Sequence, residues 1–198
     1  MQDKPTLRKQ MRERLRAIDE TTRSDGGAQI SAHILRLASS WPSNTTIALF
    51  GGLKSEPDFL PHLIMPLTEQ RARLACFQID TGELRPRQIH GMEDLQRGQM
   101  NVWEPKPHCQ PLEIAVLDII LVPGLAFTCG GLRLGRGGGY YDRLLASPHC
   151  KAHRLGIAYN VQIVESIPVE PHDQRVHKII TESGLIQAPG GQTAMSAH

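Results

Sequence analysis

The ten residues from Gly130 to Gly139 hold six of the chain's 18 glycines; the apolar run Asp118-Ile-Ile-Leu-Val-Pro123 precedes them, and the helix-compatible Tyr140 to Ala146 follows. That succession constrains the fold more than any other feature. A segment nearly continuous in Ile, Leu and Val reads as a central parallel strand covered on both faces. Strand, glycine-rich turn and helix in sequence belong to an α/β sheet, whose ligands meet the carboxyl ends of the strands. Glycines permit close backbone approach, amides opening a helix donate to anionic oxygens, and Arg133 and Arg136 add positive charge. The cluster is not a Walker A loop, because no Gly-Lys-Ser/Thr closes it. It is not the dinucleotide fingerprint either, because Tyr140 stands where a third glycine is needed. An anion site of another design is expected.

The rest of the chain carries the same alternation. Leu7, Met11, Leu15 and Ile18 recur at helical spacing, with Lys4, Arg8, Arg12 and Arg16 along another face. A second helix is expected after the Asp25-Gly26-Gly27 break, carrying Ile30, Ile34, Leu35 and Ala38 up to Trp41-Pro42. Thr45 to Phe50 reads as a strand ending at Gly51-Gly52, with a helix from about Asp58 to Glu69 after it. Arg73 to Ile79 and Leu84 to Ile89 read as strands facing each other across Thr81-Gly82. The proline-rich stretch Glu104 to Pro111 reads as an extended loop, and Leu155 to Tyr159 and Lys178 to Thr181 as two more short strands. The pattern predicts an open, mostly parallel Rossmann-like α/β sheet with helices on both faces, in a single domain over residues 1–187. Residues 188–198, small and polar, are expected to be a disordered tail.

Composition removes several function classes. A net charge of +2 over 198 residues, with 40% hydrophobic and 21% charged residues, describes a soluble globular chain and not a bulk polyanion binder. The apolar runs are far shorter than a bilayer span, and the basic, polar N-terminus lacks a signal-peptide core. Cys76, Cys109, Cys129 and Cys150 are too widely spaced for a Cys-x-x-Cys zinc or redox pair. A cytoplasmic protein with reduced thiols is expected, with no nucleic-acid or membrane partner, and a monomer fits.

The segments Pro123-Gly-Leu-Ala-Phe127 and Arg133-Leu-Gly-Arg-Gly-Gly-Gly-Tyr-Tyr-Asp-Arg143 resemble the 5-formyltetrahydrofolate cyclo-ligase (5,10-methenyltetrahydrofolate synthetase) family. Lys4-x-x-x-Arg8, Glu56, Gly156-Ile-Ala-Tyr159, Pro168-Val-Glu-Pro-His-Asp173 and Ile180-Thr-Glu182 follow in the family's order, so the likeness covers nearly all of the chain except its tail. The resemblance implies an ATP- and magnesium-dependent ring closure of 5-formyltetrahydrofolate to 5,10-methenyltetrahydrofolate, with release of ADP and phosphate. The formyl group on nitrogen 5 is an amide, a poor electrophile until its oxygen is phosphorylated; nitrogen 10 then attacks the activated carbon. Such a step asks for positioning and charge neutralisation.

Roles carried over from the family fall on particular residues. Lys4 and Arg8, four apart on one helical face, match ATP phosphate ligands; taken alone they would read as a solvated basic face. Arg133, Leu134, Gly135, Arg136, Gly137, Gly138, Gly139, Tyr140 and Tyr141 match the nucleotide loop. Its stretch from Arg136 to Tyr140 also faces folate, which makes Arg136 and Tyr140 the candidate catalytic residues. Gly51, through its backbone, and Glu56 match the pterin contacts. Asp142 and Asp173 match the magnesium ligands, although a helix-start carboxylate and an Asx turn explain them as well. Trp103 either lines the folate pocket or packs. The chain departs from the family at Thr128 and Asn160, where acidic residues are usual. His149-Cys150-x-x-His153 is the nearest approach to a zinc cluster and lacks a fourth ligand.

Two other readings compete. A sugar-phosphate isomerase or CoA-transferase-like enzyme would share the α/β plan and bind phosphate at strand ends, but would not consume ATP. A nucleic-acid binder would use the Lys4 to Arg16 face, against which the low net charge argues.

Overall fold

In the structure, a computed structural model describing residues 3–98 and 101–189, the central strand is where the sequence puts it and strands flank it on both sides. The strands are β1 (Thr46–Leu49), β2 (Arg73–Asp80), β3 (Glu83–Ile89), β4 (Leu95–Arg97), β5 (Trp103–Pro105), β6 (Ile119–Pro123), β7 (Ala126–Phe127), β8 (Arg133–Leu134), β9 (His153–Ile157), β10 (Lys178–Thr181) and β11 (Gly184–Gln187). The helices are α1 (Lys4–Arg16), α2 (Glu20–Ala38), α3 (Leu60–Glu69) and α4 (Tyr140–Ala146). One seven-stranded sheet runs β11-β10-β9-β6-β1-β2-β3. Its five inner strands are parallel and only the edges β11 and β3 are antiparallel.

Alternation along the strands builds a core on each face. Ile47 and Leu49 of β1 and Ile119 and Leu121 of β6 face one side, with α1, α2 and α3 packed against it. Ala48, Ile120 and Val122 face the other, where α4 contributes Leu144 and Leu145. Both faces are therefore covered, which is why β6 reads as a continuous apolar run. Aspartates start the first two helices: Asp3 accepts the Thr6 N–H at 2.9 Å and Asp19 the Thr22 N–H at 2.8 Å.

The expected break at Gly26-Gly27 is corrected by the structure, because α2 begins at Glu20 and runs straight through both glycines. They serve close packing. A β-carbon on Gly26 would lie 2.8 Å from the Tyr159 ring, and one on Gly27 would lie 2.6 Å from the Asp58 carbonyl oxygen. The expected loop after Trp103 likewise opens as a short strand, with β5 paired to β4. The expected disordered tail over 188–198 is corrected at its start, because Ala188 is buried and its N–H donates to the His177 carbonyl; 190–198 lie outside the described residues. Among the described residues no helix is long and apolar enough to cross a membrane, and all four cysteines are free.

Candidate functional site

The carboxyl ends of β1 and β6 open into a cavity of about 320 Å³. Phe50, Phe77, Ile79 and Leu84 make one apolar wall, and the glycine-rich loop makes the other. The loop's path needs glycine at two points, since Gly137 has φ +111° and Gly139, which opens α4, has φ +67°. Gly51 belongs to the cavity floor. A β-carbon there would lie 1.8 Å from the Trp103 carbonyl oxygen, because β5 crosses over it and the Trp103 N–H donates to the Gly51 carbonyl at 3.1 Å.

Two ion pairs lie in the cavity lining. Arg136 Nε donates to Glu56 Oε1 at 2.9 Å and its Nη2 to Ser55 Oγ at 3.0 Å, while Glu56 Oε2 accepts the Leu53 N–H at 2.9 Å. Glu56 is thus buried and oriented by its own turn. Arg133 Nη2 donates to Asp142 Oδ1 at 2.7 Å and Nη1 to the Pro123 carbonyl at 3.2 Å, which ties β8 and α4 to the end of β6. Tyr140 and Tyr141 both line the cavity. Tyr141 stands edge-on to Phe77 with ring centroids 6.0 Å apart, and burial pushes its hydroxyl well above the usual phenol range.

The basic face of α1 meets this site from outside the cavity lining. Lys4 Nζ donates to Glu170 Oε2 at 2.6 Å and to Asp173 Oδ1 and Oδ2 at 2.8 and 2.7 Å. Arg8 Nε donates to the Gly135 carbonyl at 3.0 Å and Arg12 Nη2 to the Arg136 carbonyl at 3.2 Å. These side chains therefore grip the turn before β10 and the glycine loop. The Gln174 N–H reaches Asp142 Oδ1 at 3.4 Å, which draws Asp142 toward the segment holding Asp173.

Of the residues read from the sequence, Gly51, Glu56, Arg133, Gly135, Arg136, Gly138, Gly139, Tyr140, Tyr141 and Asp142 share the cavity. Lys4, Arg8 and Asp173 stand beside it, Gly137 is exposed, and Leu134 is buried in the core with its carbonyl accepting the Leu125 N–H. Trp103 packs: its neighbours Val102 and Glu104 line the cavity, while the Arg97 guanidinium lies 3.8 Å from the centre of its ring system. Glu104 was not singled out by the sequence reading, although alternation about Trp103 offered a signal. Thr128 Oγ1 accepts the Leu132 N–H within the β7–β8 turn, and the Asn160 N–H donates to the Glu182 carboxylate. Among the described residues, His149, Cys150 and His153 do not gather as a metal-ligand set.

Fold and site together define an open α/β enzyme whose ligand cavity sits at the carboxyl ends of parallel strands, closed by a glycine loop that carries arginine. The 5-formyltetrahydrofolate cyclo-ligase family model matches residues 1–182, and the chain belongs to that family of ligases. It is 30% identical over 178 residues to the 5-formyltetrahydrofolate cyclo-ligase of Escherichia coli K12, covering 87% of this chain and 97% of that one. It is 34% identical over 137 residues to the mitochondrial 5-formyltetrahydrofolate cyclo-ligase of Arabidopsis thaliana, a match spanning 60% of this chain and half of that longer protein. The solved 5,10-methenyltetrahydrofolate synthetase of Aquifex aeolicus superposes with a TM-score of 0.75 at 26% identity, covering 98% of this chain and 97% of that one. The same fold is seen in the synthetase of Mycoplasma pneumoniae, with a TM-score of 0.76 at 24% identity over 91% and 99% of the two chains.

Proposed function

We propose that this chain catalyses the ATP- and magnesium-dependent cyclisation of 5-formyltetrahydrofolate to 5,10-methenyltetrahydrofolate, releasing ADP and phosphate, as a single cytoplasmic cyclo-ligase domain over residues 1–187. The observation that carries the reading is the Glu56–Arg136 pair, which joins the turn after β1 to the glycine loop and puts a carboxylate, a guanidinium and an apolar slot on one cavity. A flat pterin suits the slot between Phe77 and Leu84 on one side and the loop on the other. Glu56 is the acceptor for pterin N–H donors, beside the backbone of Gly51.

On the nucleotide side, Lys4, Arg8 and the loop from Arg133 to Tyr141 hold the phosphates. Lys4 reaches them by exchanging its carboxylate partners for a phosphate oxygen. Arg136, between the two ligands, neutralises charge on the phosphoryl group as it moves to the formyl oxygen, and Tyr140 fixes the reacting groups in line. Asp142 and Asp173 would hold magnesium. Their oxygens are the hard donors such a cation takes, and Asp142 Oδ2 carries no protein hydrogen bond among the described residues. Bound there, the cation supplies charge neutralisation for the phosphates.

The deciding experiment mixes purified protein, ATP, magnesium and 5-formyltetrahydrofolate and follows near-ultraviolet methenyl absorbance. Product is expected in equal amounts with ADP and phosphate. Product formed as fast without nucleotide, or after chelation of divalent cations, overturns the phosphorylation route.

A further inference from the structure

Five side chains that carry formal charge line the cavity: Glu56, Glu104, Arg133, Arg136 and Asp142. Four of them cancel in pairs, Glu56 with Arg136 and Arg133 with Asp142. Glu104 is left over, with no ion-pair or hydrogen-bond partner for its carboxylate among the described residues. Its position is built by the backbone. The β4–β5 pairing sets Glu104 opposite Gln96, and the Trp103 N–H bond to Gly51 presses the strand onto the cavity floor. Alternation then turns Glu104 inward while Trp103 packs under Arg97.

Among the described residues, the groups near Glu104 do not neutralise it. Cys76 on β2 is close enough to feel its charge, and burial holds that thiol up at about 12, so it stays neutral. Tyr141, across the cavity, is likewise held in its neutral form by burial. Burial pushes the Glu104 carboxyl above its usual range, as an unpaired carboxylate against apolar walls requires. Among the described residues every other charge in the cavity is paired and that of Glu104, whose carboxylate lies against Gly98, is not; such a site is complementary to a ligand bearing one positive charge.

We propose that Glu104 is the counter-charge for the cation that ring closure creates on the folate. The inference rests on the folate assignment made above, and the reaction's charge balance gives it content. The 5-formyl substrate is neutral at nitrogens 5 and 10. Transfer of the γ-phosphoryl group breaks a terminal P–O bond of ATP, forms an O–P bond at the formyl oxygen, and leaves an iminium at nitrogen 5. Nitrogen 10 then gives its lone pair to the formyl carbon. The C–O bond breaks with its electron pair going to phosphate, which also carries away the nitrogen 10 proton. The product keeps one positive charge shared over N5–C–N10. A fixed carboxylate in a poorly solvated slot favours the iminium and the product over the neutral substrate, which is the differential binding that accelerates a step.

The test is Glu104→Gln, which keeps shape and removes charge, with thermal denaturation as a check on the fold. Affinities for 5,10-methenyltetrahydrofolate and for 5-formyltetrahydrofolate are measured separately on wild type and variant by titration, together with a non-hydrolysable ATP analogue. The expected result is a loss of about tenfold or more in affinity for the cationic product, a change of roughly twofold or less for the neutral substrate, an unchanged ATP analogue, and a lowered kcat. Equal losses for both folates would make Glu104 an ordinary recognition residue and overturn the proposal, as would no loss for either. Wild-type protein that binds neither folate overturns the substrate assignment itself, and this inference with it.

Discussion

Lys4 Nζ stands 2.8 and 2.7 Å from the two carboxylate oxygens of Asp173, a contact that spans 169 positions of sequence and latches the first helix to the turn before β10. Both side chains are largely shielded, at 8% and 11% exposure. Burial pulls the Lys4 ammonium down and the Asp173 carboxyl up. The bonds between them, helped by the Glu170 carboxylate at Lys4 and the Glu170 N–H at Asp173, outweigh both effects, so Lys4 ends raised and Asp173 lowered. The signs agree about pH. The Asp173 contribution is present above the ordinary carboxylate range and lost as pH falls through its lowered value. The Lys4 contribution is present below the ordinary lysine range and lost as pH rises through its raised value. The latch is closed across neutral pH.

Lys4→Met should therefore destabilise the fold by roughly 3 kcal/mol, since it strands a shielded carboxylate. Asp173→Asn should cost less, and the double variant less than the sum of the two. Urea unfolding at neutral pH measures all three; strict additivity would show that the contact carries no coupling.

Asp142 calls for a gentler substitution than alanine. Its partner Arg133 has a side chain only 3% exposed, and removing the carboxylate altogether leaves a buried guanidinium without its counter-ion, a loss of about 3 to 5 kcal/mol. Asp142→Asn keeps an oxygen facing Arg133 while weakening a magnesium ligand. Activity at ordinary magnesium should fall most of the way and recover partly at high magnesium, while the melting temperature falls less than in Asp142→Ala, because the amide oxygen still accepts from Arg133 although the counter-charge is gone. Full activity at low magnesium would remove Asp142 from the metal site.

What could be read from residues alone follows from how far apart the causes lie. The parallel strands were legible because each carries its reason locally: β6 is apolar at successive positions because both of its faces are covered. The Gly26-Gly27 pair misled because glycine marks either a break or a close approach, and only the fold shows Tyr159 and Asp58 pressing on α2. The short β7–β8 hairpin and the edge strand β11 are too brief to show a period. At the site, the glycine loop stood out by composition, whereas Glu56, alone no more than a loop glutamate, stood out only through the family resemblance. Glu104 did not, since a glutamate before a proline resembles any surface residue until β5 is laid over Gly51. The Lys4–Asp173 latch is a tertiary fact with no local signature.

A pair of histidines, His153 at the start of β9 and His177 just before β10, makes stability depend on acid. The His153 and His177 rings lie tilted against each other with centroids 4.6 Å apart, and His153 Nε2 is buried with no hydrogen-bond partner among the described residues. Burial first, then the nearby His177 and Lys178, lower the His153 pKa to about 4 from an ordinary 6.5. Between those values the unfolded chain binds a proton that the folded chain refuses, so this stabilising contribution is present above about 6.5 and lost as pH falls toward about 4. His153→Phe keeps a ring in place and removes its own titration, leaving that of His177, whose pKa burial also lowers. Its melting temperature should fall less steeply than that of wild type over this window. Parallel slopes for the two proteins would assign the acid sensitivity elsewhere.

The two sides of the proposed site should separate on single substitutions. Arg8 Nε holds the Gly135 carbonyl from α1, outside the cavity lining, whereas Glu56 lies within the lining and holds Arg136. If α1 serves the nucleotide, Arg8→Ala raises the KM for ATP and leaves direct folate binding largely intact. One charged hydrogen bond is worth about 1.5 to 3 kcal/mol, or roughly ten- to a hundredfold in affinity. Glu56→Gln acts in the opposite sense. An amide keeps one acceptor and must turn a donor toward either the pterin or Arg136, and both of those already present donors. Folate binding should weaken by a comparable factor while an ATP analogue still binds. Calorimetry with each ligand alone distinguishes the two variants, and the reverse pattern would invert the placement of nucleotide and folate across the Glu56–Arg136 pair.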